Sequence, residues 1–68
     1  MQSAYSAWMG HSVVLQISAG DKKVPLHGTI IGESDATVRF RIGGRWDVDI
    51  YKAMILAVEE DHWANILT

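Results

Sequence analysis

The chain has 68 residues with no cysteine, one proline and six glycines, which bounds it to a single small domain (1–68) and excludes a multidomain enzyme, a disulfide staple and a thiolate metal site. Six Lys+Arg against eight Asp+Glu give a net charge of −2 and a pI near 5.8, not the basic footprint of a protein that grips duplex DNA. At 49% hydrophobic and 21% charged it is too apolar for disorder, and with neither a membrane-length apolar run nor a signal-peptide pattern it is expected to be globular and cytoplasmic. A lone core of this size seldom supplies more than about 3–5 kcal/mol, so self-association is the expected support.

In chain order, Ser3 is placed to cap a short N-terminal helix carrying Tyr5, Trp8 and Met9 and ending at Gly10. Five strands are then expected near Ser12 to Ser18, Val24 to Glu33, Thr37 to Ile42, Arg45 to Tyr51 and Met54 to Glu59. The run Val13-Val14-Leu15-Gln16-Ile17 suits a pleated, half-buried surface, and Ala19-Gly20-Asp21-Lys22-Lys23 reads as a polar hairpin loop. In the second strand Gly28 and Gly32 share a face with Val24, Leu26 and Ile30 and predict a strong bend or bulge, while Pro25 belongs at the strand's start or on an edge.

The third and fourth strands each present one apolar face: Val38, Phe40 and Ile42 on one, Trp46, Val48 and Ile50 on the other. Trp46 alternates in phase with Val48 and Ile50 and is expected in the core, and setting Phe40 opposite Trp46 with Val38 opposite Val48 gives the loop Ile42-Gly43-Gly44 with a left-handed Gly44 in a bulge. That register pairs Arg39 with Asp47 and Thr37 with Asp49, and sets Arg41 unfavourably against Arg45. After the fifth strand, Asp61 is placed to cap a helical turn carrying Trp63, Ile66 and Leu67. The expected fold is therefore all-β: a small five-stranded, strongly bent antiparallel barrel with a short N-terminal helix and a helical C-terminal turn.

Catalytic and metal chemistry find little to stand on. His11, His27 and His62 share no metal-ligand spacing, the chain has no cysteine nucleophile, and Asp47 with Asp49 is better placed to pair with arginine than with a cation. Gly43-Gly44 joins two strands and opens no helix, so it is a hairpin turn and not a phosphate loop. No cofactor is expected. Trp8 and Trp63 are packing residues first and base-stacking residues second.

The order of short helix, strand, bent strand Leu26-x-Gly28-x-Ile30, Ser34-Asp35 and three further short strands resembles the Sm-like fold. Tyr51-Lys52 followed by Ile55 and Val58 is similar to the tyrosine-lysine-histidine segment of the Hfq-type branch of bacterial Sm-like RNA chaperones. The resemblance implies a barrel that closes into a homo-oligomeric ring by pairing the fourth strand of one subunit with the fifth of the next. It implies a non-catalytic protein binding single-stranded, uridine-rich RNA, with Lys52 at the pore mouth on phosphate or base edges and Tyr51 shaping the wall. Arg39, Arg41 and Arg45 would offer an outer RNA-contact face, offset by Asp47 and Asp49. The chain departs from the family pattern at Ala53, where the histidine would stand, at Ala36 or Thr37, where the stacking aromatic would stand, and at Val38, where the first motif has asparagine. The alternative is an oligomeric protein-interaction module of the same fold, with Trp63, Ile66 and Leu67 as a docking patch.

Overall fold

The structure is a computed structural model and describes residues 5–62. Ser3 as a helix cap and the turn carrying Trp63, Ile66 and Leu67 lie outside the described residues. A single 3-10 turn, Ser6–Trp8, stands where the N-terminal helix was expected, and five strands follow: β1 Ser12–Ala19, β2 Lys22–Glu33, β3 Thr37–Ile42, β4 Trp46–Tyr51 and β5 Ile55–Glu60. A second 3-10 turn, Lys52–Met54, links β4 to β5. All ladders between these strands are antiparallel, in the order β4-β3-β2-β1-β5, and an isolated parallel bridge joins Met9 to Ile30. No helix among the described residues is long and apolar enough to cross a membrane.

The expected closed barrel does not form within one chain: β4 and β5 are the two edges of the sheet and share no ladder. The sheet is nonetheless curled. Laid flat, five strands would hold their edges about 19 Å apart, whereas the chain from Tyr51 to Ile55 spans at most about 15 Å. The curl is built into β2, whose first half pairs with β1 and whose second half pairs with β3, both ladders overlapping at Gly28 and Thr29. A side chain at Gly28 is excluded, since a Cβ there would lie 2.2 Å from the carbonyl oxygen of Arg41 and 2.9 Å from the Phe40 ring. Pro25 sits in the first half, opposite Gln16 and before the β3 ladder begins, so its missing N–H removes no bond to β3.

A bulge follows. The β2–β3 register shifts between Ile30 and Gly32, so Ile30 faces Phe40, Gly32 faces Arg39 and Glu33 faces Val38. Opposed residues share a face, so Gly32 lies on the outer side with Arg39 and does not share the face of Ile30, as strict alternation predicts. The first hairpin is also tighter than expected, because Ala19 pairs with Lys22 and leaves Gly20-Asp21 as the turn.

The core lies on one face of the curled sheet: Val13, Leu15 and Ile17 of β1, Ile30 of β2, Val38 and Phe40 of β3, and Ile50 of β4. Tyr5 and Trp8 pack against it from the first 3-10 turn, whose own bonds, Trp8 N–H to the Tyr5 carbonyl and Met9 N–H to the Ser6 carbonyl, are too few to hold so short a segment without that docking. Trp46 is not in the core, where its alternation places it by expectation. It faces the same side as Val48 and Ile50, but it pairs with Ile42 at the end of the outermost strand and is 72% exposed.

The β3–β4 register differs by two residues from the expected one. Phe40 opposes Val48, Val38 opposes Ile50, and the loop is Gly43-Gly44-Arg45, with Arg45 N–H donating to the Ile42 carbonyl. Both Gly43 (φ 62°) and Gly44 (φ 74°) are left-handed, the turn chemistry that two adjacent glycines supply without a Cβ penalty.

Candidate functional site

The register decides what the outer arginines do. Arg39 opposes Asp49, not Asp47, and Arg41 opposes Asp47, not Arg45, so the expected arginine clash does not arise. Arg41 grips Asp47 with both Nε and a terminal nitrogen, at 2.8 and 3.1 Å, and Arg39 reaches Asp49 at 3.1 and 3.5 Å. The hydrogen bond from Arg41 holds the Asp47 carboxyl below its usual range, opposed by desolvation and reinforced by the charges of Arg41 and Arg39. Arg39 and Arg41 are raised in turn, each first by the side-chain hydrogen bond to its own aspartate. The guanidinium forks expected to meet RNA are thus occupied by carboxylates of the same chain. Arg45, in the turn, has no ion-pair partner among the described residues.

Tyr51 and Lys52 separate. Tyr51 opposes Thr37 on the outer face and is exposed, while Lys52 begins the 3-10 turn and folds against the other side. Its backbone N–H donates to the Ala36 carbonyl at 2.8 Å, which fastens the β4–β5 turn to the turn between β2 and β3. Its ammonium meets Glu33 at 2.5 Å and lies 5.5 Å from the centre of the Tyr5 ring. Both members of the ion pair are mostly covered, Lys52 being 24% and Glu33 16% exposed. Glu33 escapes a reading of the sequence because strict alternation sends it outward. The bulge beside Gly32 is the signal, since it turns Glu33 to the face of Val38, towards Lys52.

Glu33 also lines an open hollow of about 430 Å³ with Gly32, Ser34, Thr37, Arg39 and Asp49. Arg39 is the one member of the expected arginine set in this lining; Arg41, Arg45, Tyr51 and Lys52 are not. Ser34 is held by its own turn, with Thr37 N–H donating to its Oγ at 3.1 Å. Elsewhere His27 Nδ1 meets Asp61 Oδ2 at 3.1 Å, and Asp61 N–H donates to the Ser12 carbonyl, pinning the end of β5 across β1 to β2. Among the described residues no three His, Asp or Glu side chains converge as metal ligands.

Large apolar side chains stand exposed at both edges of the sheet, besides Met9 and Val24 elsewhere. Trp46 and Tyr51 stand exposed on β4, and Leu56 (51% exposed) on β5 with Met54 just before it. Beside β5 runs a groove of about 280 Å³ lined by Tyr5, Trp8, Ile55, Leu56, Ala57 and Val58. Unpaired edges with large apolar side chains are what a monomeric β protein normally avoids. Comparison with family models, with curated proteins and with solved structures finds no match to this chain.

Proposed function

We propose that this chain is a non-catalytic Sm-like subunit that works as a homo-oligomeric ring, serving as a binding scaffold. The observation that carries the reading is that β4 and β5 are the two edges of the sheet, with no further strand beside either among the described residues, and bear exposed large apolar side chains, Trp46 and Tyr51 on β4 and Leu56 on β5. Joining one copy's β4 to the next copy's β5 removes both edges, completes the hydrogen bonding of every strand and adds the core that a chain of this size lacks. The strand order, the bend at Gly28 and the placing of the Lys52 turn against the turn between β2 and β3 support the Sm-like assignment.

A second reading, single-stranded RNA as the ligand, is favoured by one observation: a ring would repeat Lys52 around a common axis, at a junction of two turns beside an open hollow. Against it stand the Glu33 carboxylate on Lys52, the aspartates on Arg39 and Arg41, and the net charge of −2. Light scattering in line with size-exclusion chromatography and an ultraviolet spectrum tests both. An oligomer with a clean tryptophan spectrum supports the scaffold, an oligomer carrying co-purified nucleic acid supports the RNA reading, and a monomer overturns both.

A further inference from the structure

The ring reading leaves open what holds the subunits together, and the two edges answer it in residue terms. Resting on that reading, we propose that Trp46 of one copy is the anchor of the joint, seated in the groove between β5 and the first 3-10 turn of the next copy, with Arg45 paired to that copy's Glu59.

The faces agree. Trp46 opposes Ile42 on the core-facing side of β4, and the groove lies on the core-facing side of β5, since Tyr5, Trp8, Ile55 and Val58 pack against the core. Directly opposed residues on antiparallel strands share a face, so extending the sheet from β5 onto an incoming β4 carries Trp46 to the side where the groove is. Among the described residues this ring remains 72% exposed. An aromatic side chain of this kind buries about 150–250 Å² and is the residue type most often found at the energetic centre of an interface.

Charge selects the register. Face-preserving registers differ by two residues, and antiparallel addition sets the start of β4 against the end of β5. With Trp46 opposite Val58, Arg45 falls opposite Glu59 and Asp47 opposite Ala57. Two residues further along, Arg45 would oppose Asp61, already held by His27, but Asp47 would oppose Glu59, a like-charge pair that is unfavourable when directly opposed; two residues back, Arg45 would oppose the uncharged Ala57. The chosen register therefore gives Arg45 an opposite charge and keeps Asp47, already held by Arg41, away from the acidic end of β5.

The joint is head-to-tail. It uses two different edges of the same subunit, so each copy donates β4 and accepts with β5, the arrangement that closes into a ring when its rotation permits. This separates it from an isologous dimer made of two β4 edges or two β5 edges.

Sedimentation velocity on the whole chain tests the inference with two surface variants, Trp46→Glu on the donor edge and Leu56→Glu in the acceptor groove. The wild type is expected to sediment as an oligomer, each variant alone as a monomer, and their equimolar mixture as a heterodimer, because one intact donor and one intact acceptor remain in the mixture. Trp46→Phe is expected to keep the oligomer. If Trp46→Glu fails to show the wild-type far-ultraviolet circular dichroism, Trp46→Ser replaces it and is expected to raise the concentration for half-assembly at least about tenfold. A Trp46 variant that assembles like wild type overturns the anchor while leaving the ring. Two variants that dimerise alone, or that give no heterodimer when mixed, overturn the head-to-tail joint. A wild type that is monomeric overturns the ring and this inference with it.

Discussion

The ammonium of Lys52 lies 2.5 Å from the carboxylate of Glu33, 19 positions earlier, because a bulge in β2 turns Glu33 to the inner face just where the β4–β5 turn arrives. A pair this well covered is strongly interdependent: removing one partner leaves the other's charge facing a site that water reaches poorly. Glu33→Gln and Lys52→Met are each expected to cost about 1–3 kcal/mol, with a coupling of about 1 kcal/mol or more in the double-mutant cycle. Urea denaturation at one fixed protein concentration checks this. Additive single effects would mean that the contact contributes nothing to the fold.

The same pair sets the expectation for RNA. Glu33 occupies Lys52 as a phosphate would, so Glu33→Gln is expected to tighten the binding of a labelled uridine oligomer and to steepen its salt dependence, each added phosphate contact contributing about −0.7 to the slope of log K against log salt. Fluorescence anisotropy across a salt series reads both quantities. Equal affinity in wild type, Glu33→Gln and Lys52→Ala would remove the RNA reading and leave the scaffold.

The bend in β2 depends on one glycine more than on the other. A Cβ at Gly28 meets backbone at 2.2 Å, while at Gly32 the nearest atom is the Arg39 Cβ at an ordinary 3.5 Å. Gly28→Ala is expected to cost about 3 kcal/mol, as overpacking does when the obstructing atom cannot move aside, and to lower the melting temperature by about 10 °C or more. Gly32→Ala should change stability by no more than about 1 kcal/mol. Thermal melts of the two variants that coincide would contradict the close approach of β2 to β3.

Acid should weaken the outer face in a defined direction. The folded-state pKa of Asp47 lies below its ordinary value of 3.8, chiefly through the hydrogen bond from Arg41, so its contribution is complete above that value and fades as pH falls through the lower, folded one. Asp47→Asn removes the contribution, and the gap in melting temperature between wild type and variant should therefore be widest near neutrality and narrow below the ordinary value. A gap that stays constant from neutral to acid pH would assign the loss to packing and not to the charge.

The sequence carries the strands well because alternation is a strong local signal: Val38, Phe40 and Ile42 against Arg39 and Arg41 define β3 at Thr37–Ile42, as expected. Register is less legible for a physical reason. A shift of two residues leaves every face unchanged, so alternation alone cannot choose between Phe40 opposite Trp46 and Phe40 opposite Val48. The register with Phe40 opposite Trp46 is the wrong one, and with it go the expected partners of Arg39 and Arg41. Trp46 shows the complementary limit, since pattern gives its face but not that the core has ended before reaching it. Glu33 was hidden by a one-residue bulge, which reverses the face of everything beyond it. The Lys52 turn was marked by its neighbours in sequence, but its carboxylate partner could be found only through that bulge.

The measurement that bears most directly on this account is native mass spectrometry of the whole chain at micromolar concentration. Paired β4 and β5 edges predict one discrete species larger than a dimer, at an integer multiple of 7.6 kDa. A monomer, a dimer or an open-ended ladder of masses would contradict the ring.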